Sequence, residues 1–340
     1  MWKVNNKTNK DFLDNFQSKI IVPLFDFIIK LKGNSYKEVS FKDFEKEIFK
    51  FLDPNFPIVV FKKKYKQKKC YELILALINT NTLKELKEQK AIFKTQNNSI
   101  NSGNYSLTPE NTPDELYRIF SNILYAQCFD NDDCWNFIQT GLKYKRKAFH
   151  SNFKSENEDR TICSLCDVDS VISKSNGIVE HFLPRNKFPY LSMNANNLTT
   201  CCNACNLGEE GKGTGSINPI WSPFSRQIGD SVKFNIKPNK IVISPKNGNI
   251  AIDNYIDLMK LNKRFSTKSV YNTSITRLNA EISLHKKLSN TISVDDLLSF
   301  FIHNIEERKN EGFYFLKKNY FGDNYKEYLD ELKTIQLKKD

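Results

Sequence analysis

"GIVEHFLPRNKFPYLSMNANNLTTCCNACN", residues 177–206, is the stretch on which the reading of the fold turns. It ends in a Cys-x-x-Cys knuckle, Cys202 and Cys205, and residues 167–201 separate that knuckle from another, Cys163 and Cys166. Two thiolates with two residues between them can hold one ion, and two such pairs complete a tetrahedral, closed, structural Zn²⁺ site. A closed site leaves no position for water or substrate, so this zinc would hold the fold and perform no chemistry. Four unrelated thiols would need the same paired spacing twice by chance, which makes metal the stronger reading. Cys201 is adjacent but out of register and reads as a packing thiol. Cys70, Cys128 and Cys134 are scattered, and read as buried thiols.

Between the knuckles, Cys, Gly, Asn and Thr replace the helical pattern found elsewhere. "GIVEHF" alternates well enough for a strand, entered through Gly177 and closed by Pro184. "NNLTTCC" reads as a short returning strand, and "NACNLGEEGK" can begin a helix. The expected unit is a hairpin and a helix pinned together by zinc, with His181 at a strand end. His181 is one of four histidines and directly follows Glu180. A histidine standing alone is more often a structural hydrogen-bonding residue, although its near-neutral pKa also suits a general base.

Taken together, these residues resemble the HNH nucleases of the ββα-metal superfamily. Glu180-His181 followed by Pro184 matches the acidic-His-x-x-Pro element of that family. Asn197-Leu198, then Cys202-x-x-Cys205-Asn206, matches its Asn-Leu-x-x-x-Cys-x-x-Cys-[His/Asn] element. "EHFLPRNKFPYLS" is similar to a group of stand-alone bacterial HNH proteins. The resemblance implies metal-dependent hydrolysis of phosphodiester bonds in DNA, with His181 as general base toward the attacking water. It implies that Asn206 and Glu180 hold one Mg²⁺, or another divalent ion, through hard oxygen donors. Asn197 would hydrogen-bond the loop backbone and orient His181. The family usually carries Lys three residues after the final Asn or His. Here that position is Glu209, and Lys212-Gly213 arrives two residues late. Either the helix start has an insertion, or Glu209 or Glu210 joins the metal site. By resemblance, such proteins act in anti-phage defence beside a sensor or ATPase partner.

The rest of the chain is consistent with a polyanionic partner. Fifty-one basic against 39 acidic residues leave a net charge of +12, which suits nucleic acid first and an anionic surface second. The densest basic run is "KKKYKQKK", residues 62–69, where Lys62, Lys63, Lys64 and Lys66 can neutralise phosphates. The alternative is a solvated hairpin or helix edge without a partner. Arg185, Lys187 and Lys212 are further candidates for nucleic-acid contact. The start lacks an apolar run behind a basic segment, so it does not read as a secretory signal. "IIVPLFDFIIKL" contains Pro23 and Asp26 and is too short to span a bilayer. A cytoplasmic protein without a membrane partner is expected.

In layout, residues 1–155 read as a mainly helical N-terminal domain for substrate or partner binding, 156–225 as the HNH core with its Cys₄ zinc, and 226–340 as strands then helices. The fold class is α+β. Leu13, Phe16, Ile20, Leu24, Phe27 and Leu31 recur at helical steps, with Gly33 as a stop and Ser40 capping the next helix. "FPIVVF" reads as a short strand, and a single helix is expected from about Tyr71 to Lys94. "TQNNSINSGNYSLTPENTPDE" reads as a loop ending in Thr112 as N-cap with Pro113 behind it, and further helices follow to about His150. "SVKFNI" and "KIVIS" read as strands, and helical spacing recurs to the end. No internal repeat, glycine-rich phosphate loop or Ser-His-Asp arrangement is visible. The alternatives to a DNA endonuclease are a zinc-stabilised nucleic-acid-binding or adaptor module without catalysis, and an HNH nuclease acting on RNA.

Overall fold

The six apolar residues from Leu13 to Leu31 are all buried. They line one face of a helical run formed by α1 (Lys7–Phe16), a π-helical turn (Gln17–Ile21) and α2 (Val22–Gly33). Pro23 explains the π turn. It has no N–H to give and its ring crowds the carbonyl one turn back, so the ladder widens just ahead of it. These facts come from a computed structural model, which describes residues 1–37, 40–172, 177–237, 240–276 and 294–320, with 280, 283, 284 and 287.

By its contacts the chain divides into two compact units. The helical unit comprises Asn5–Asp159 and Val179–Thr200, and the knuckle unit comprises Met1–Val4, Arg160–Ile178 and Cys201–Asp340. The stretch 156–225 is shared between them.

In the helical unit, α3 (Phe41–Phe51) starts where Ser40 accepts a hydrogen bond from Asp43 N–H, a cap worth about 1 kcal/mol. Next come α4 (Val59–Lys62), the two-residue strands β1 (Lys64–Tyr65) and β2 (Lys68–Lys69), α5 (Cys70–Thr80) and α6 (Leu83–Asn101). Then α7 (Asp114–Tyr117) runs into a π-helical stretch (Arg118–Cys128), followed by α8 (Asp132–Ile138) and α9 (Arg146–Glu156). The core is aromatic. Phe25, Phe93, Phe120 and Tyr190 form one cluster with ring centroids 4.9 to 6.2 Å apart.

Packing and capping overrule the sequence pattern in several places. "FPIVVF" is a helical turn rather than a strand, because adjacent Val60 and Phe61 are both buried, which an alternating strand does not allow. The single helix expected from Tyr71 breaks at Thr82, whose side chain and Glu85 form a capping box. The polar tract after Lys94 continues α6 as far as Asn101. It stays helical because Gln96, Asn97 and Ile100 face the interior. Pro113, not Thr112, is the N-cap of α7.

In the knuckle unit both expected strands form, and β5 (Val232–Lys237) and β6 (Lys240–Pro245) pair as an antiparallel hairpin. They are followed by α11 (Ile250–Leu258), which takes up most of "GNIAI" with Asn249 as its N-cap, and by α12 (Leu261–Phe265), α13 (Lys268–Tyr271) and α14 (Val294–Glu307). The helix read in "NYKEYLDELKTIQLKK" lies outside the described residues. Asp167, fully buried, accepts from Trp2 Nε1 and from Phe315 N, both at 2.9 Å. Burial pushes its carboxyl up to about 6. Strands β3 (Gly177–His181) and β4 (Leu198–Cys202) pair with each other, and the chain passes between the units within each of them. The one-turn helix α10 (Asn203–Asn206) follows β4 directly. The architecture is α+β. No helix among the described residues is long and apolar enough to cross a membrane.

Candidate metal centre and histidine site

In the knuckle unit Cys163, Cys166, Cys202 and Cys205 converge, with all four sulfurs within 4.8 Å of one another and all four residues buried. Cys163 Sγ lies 3.8 Å from Cys205 Sγ, and Cys166 Sγ lies 3.9 Å from Cys202 Sγ. A zinc–sulfur bond of about 2.3 Å sets tetrahedron edges of about 3.8 Å. The cage therefore has the size and donor chemistry for a metal ion such as zinc. Among the described residues it is the one convergence of three or more His, Cys, Asp or Glu side chains. Cys201 is buried beside it and belongs to no such group.

The surroundings of the sulfurs suit a cation. Burial pushes the Cys205 thiol well above its usual range, and its hydrogen bonds with the other three sulfurs push it further. Burial would raise Cys166 too, but hydrogen bonds from Cys163, Cys202 and Cys205 and the Arg264 charge hold it well below its usual value.

Three features hold the cage. Cys202 N–H donates to Cys163 Sγ (3.3 Å) and Val168 N–H to Cys166 Sγ (3.4 Å). The chain after α10 turns back on itself, with Lys212 N–H donating to Cys205 O at 3.0 Å. A Cβ at Gly211 would lie 2.3 Å from that same carbonyl, so only glycine fits the turn. This turn is what ends the helix begun at "NACN" after a single turn. Arg264, which the sequence does not announce, is 8% exposed and donates through Nη1 to Cys205 Sγ at 3.0 Å. It also pairs with Asp169. No local pattern marks it, because it comes from α12, far along the chain. Outer partners of this kind typically change metal affinity 10- to 100-fold, roughly, when removed. Arg264→Gln is therefore expected to weaken zinc retention by about that factor in competition with a chromogenic chelator. Unchanged affinity and release rate would rule the arginine out as a contributor.

In the helical unit, His181 ends β3 with its ring 1% exposed. His181 Nε2 lies 3.1 Å from Ser192 O. A carbonyl only accepts, so Nε2 carries a proton. Glu180 Oε1 stands 3.8 Å from Nδ1. The ring packs edge-on against Tyr125, with centroids 4.3 Å apart.

The loop after His181 is tied from two directions. Asn197, fully buried, accepts from Leu183 N–H at 2.7 Å and donates to Leu183 O at 3.0 Å and Leu191 O at 3.3 Å. Its own carbonyl accepts from Phe182 N–H at 2.7 Å. The other support is the asparagine-rich end of α6. Asn97 donates to Tyr190 O (3.1 Å), Asn194 donates to Asn97 (2.8 Å), and Asn196 donates to Asn101 (3.0 Å). The tract that reads as a loop is in fact a polar scaffold for residues 190–196. Buried amides are expensive unless paired; the Asn97 and Asn194 amides are paired here, while Gln96 Oε1 in the same tract has no hydrogen-bond partner among the described residues.

The other candidates are dispersed. Asn206 closes α10 and is half-buried, while Glu209 and Glu210 are exposed, all three in the knuckle unit. Lys212 is 4% exposed, with Nζ donating to Gly213 O. Lys62, at the end of α4, is exposed and Lys63, its C-cap, is half-buried; Lys64 and Lys66 are exposed on the β1–β2 hairpin that follows, where Lys66 at the turn has φ +54°. Lys187 lines a cavity of about 340 Å³ with Asn186, Thr112 and Tyr117. Arg185 is half-buried, with Nη1 donating to Ser121 O at 2.9 Å. No protein-family model, curated protein or solved structure matches the chain.

Proposed function

We propose that this protein is a metal-dependent HNH endonuclease that hydrolyses phosphodiester bonds of DNA. The observation that carries the reading is the hydrogen bond from His181 Nε2 to Ser192 O, which holds the imidazole by one nitrogen and sets Nδ1 beside Glu180, the arrangement a histidine general base calls for. The four-cysteine cage, read as a Zn²⁺ site, is structural. Glu180 and Asn206 are the hard oxygen donors assigned to Mg²⁺ or a similar divalent ion. When bound, such an ion stabilises charge on the leaving oxygen. His181 takes the proton of the attacking water, Glu180 faces its basic nitrogen, and Asn197 holds the loop on which both depend. By the same resemblance, an anti-phage role in the cytoplasm beside a sensor or ATPase partner belongs to this reading.

A second reading, a zinc-stabilised nucleic-acid-binding or adaptor module without catalysis, draws support from one observation, the 1% exposure of the His181 ring. Incubation of supercoiled plasmid with Mg²⁺, with and without EDTA, separates the two. Nicked or linear product from the wild type, absent with EDTA, supports the nuclease. Binding without cutting supports the adaptor, and cutting confined to RNA assigns the other sugar.

The lysine hairpin serves grip rather than chemistry in this reading. Changing Lys62, Lys63, Lys64 and Lys66 to Ala is expected to weaken DNA affinity and to flatten the slope of log affinity against log salt, by about 0.9 for each phosphate that is no longer neutralised. Cleavage at saturating DNA survives. An unchanged slope would leave this hairpin as plain surface.

A further inference from the structure

Arg185 lies on the loop that follows His181, and its surroundings differ from those of the surface lysines. Its Nη1 donates to Ser121 O at 2.9 Å, and Ser121 Oγ donates back to Arg185 O at 3.3 Å. Its guanidinium carbon sits 5.3 Å from the centre of the Tyr125 ring, the ring that also touches the His181 imidazole. Tyr125 is itself held firmly. Its hydroxyl donates to Val179 O at 3.3 Å, and the Arg146 guanidinium lies 4.6 Å from its ring. Arg146 also donates to the Tyr125 carbonyl and pairs with Asp130, so its charge is neutralised locally. Among the described residues no carboxylate pairs with Arg185. Of the five guanidinium donors, those on Nε and Nη2 have no protein partner among the described residues.

We propose that Arg185 binds the scissile phosphodiester itself, and that Tyr125 is the positioning residue that sets Arg185 and His181 against the same phosphate. The proposal rests on the reading of His181 as general base. In the step, water oxygen bonds to phosphorus while its proton passes to His181 Nδ1. The bond from phosphorus to the 3′-oxygen breaks, and that oxygen leaves with its electron pair and is protonated by solvent. Negative charge builds on the non-bridging oxygens as the water attacks. A guanidinium fixed in advance by a carbonyl and an aromatic face meets that charge without reorganising. Lysines on an exposed hairpin cannot do this, because they must be ordered on contact. Arg185 should therefore act on the rate, and the hairpin on the affinity.

The test is single-turnover cleavage of a duplex with Mg²⁺, alongside binding of the same duplex without metal. It compares wild type, Arg185→Gln, Arg185→Lys, Tyr125→Leu and Tyr125→Phe, each checked for an unchanged melting profile. Arg185→Gln is expected to lower the rate at saturating DNA by about 10²- to 10³-fold, with Kd within about threefold of wild type. Arg185→Lys keeps the charge without the fork and falls between the two. Tyr125→Leu loses rate in the same way, and Tyr125→Phe, which keeps the ring, restores it. If Arg185→Gln cuts at the wild-type rate, or loses affinity instead of rate, the proposal fails while the nuclease reading stands. If the wild type does not cut either DNA or RNA, both fall together.

Discussion

Cys205→Ala will empty the metal cage and destabilise the knuckle unit, rather than merely loosening one ligand. Purified wild-type protein should carry about one tightly held zinc per chain, and the variant close to none. The scale follows from the binding free energy of a structural zinc, about 10–16 kcal/mol in small zinc modules. That equals or exceeds the total stability of an ordinary domain, about 5–15 kcal/mol. Cys205 is also a junction for other contacts. Its sulfur accepts from Arg264, and its carbonyl accepts from Lys212 N–H beside the Gly211 turn. Losing the metal would leave three buried sulfurs and the Arg264 charge without their centre. Elemental analysis combined with thermal melting, with and without chelator, checks this. Cys201→Ala is the control, because Cys201 is buried outside the cage. That variant loses some packing and keeps its metal. A Cys205→Ala protein that retained stoichiometric zinc and melted like wild type would end the reading of this cage.

The parts of the fold that were legible in the sequence are those set by local spacing. The paired cysteines, the helical face from Leu13 to Leu31, the Ser40 cap and the strands Val232–Lys237 and Lys240–Pro245 all follow from periods and caps short enough to read along the chain. The parts that were not legible are set by long-range partners. Asn97 and Asn101 look like loop residues because asparagine is a poor helix former. They remain helical because the 190–196 segment consumes their amides. Val59 and Val60 look like strand residues, and burial of Val60 beside Phe61 decides otherwise. Arg264 and Tyr125 carry no motif, and they matter only once folding has brought them to Cys205 and His181. The break at Thr82 is a different case. Its Thr-x-x-Glu signature is present in the sequence and is outweighed there by the long apolar period around it.

His181→Gln should abolish cleavage while costing little stability, and the burial of the ring determines this choice of substitution. Judged by the sequence alone, alanine at this position removes only a base. The ring is 1% exposed and packs on Tyr125, so alanine would also open a cavity and orphan the Ser192 carbonyl. Together those effects cost about 2–4 kcal/mol. Glutamine is closer in size, and its terminal amide can reach Ser192 O in place of Nε2. It offers no basic nitrogen where Nδ1 stood. Loss of a general base typically lowers a rate about 10²- to 10⁴-fold. Asn197→Ala provides the contrast. That side chain bonds the backbone of Leu183 and Leu191 from full burial. Its removal strands a buried N–H and two carbonyls, at about 1–3 kcal/mol for each group left unsatisfied. Asn197→Ala should therefore lower the melting temperature and the activity together, and His181→Gln the activity alone. The comparison needs only melting curves, a plasmid assay and a DNA-binding measurement on the two proteins. If His181→Gln cuts like wild type, the base lies elsewhere. If both variants melt early, His181 is a structural histidine and the adaptor reading gains.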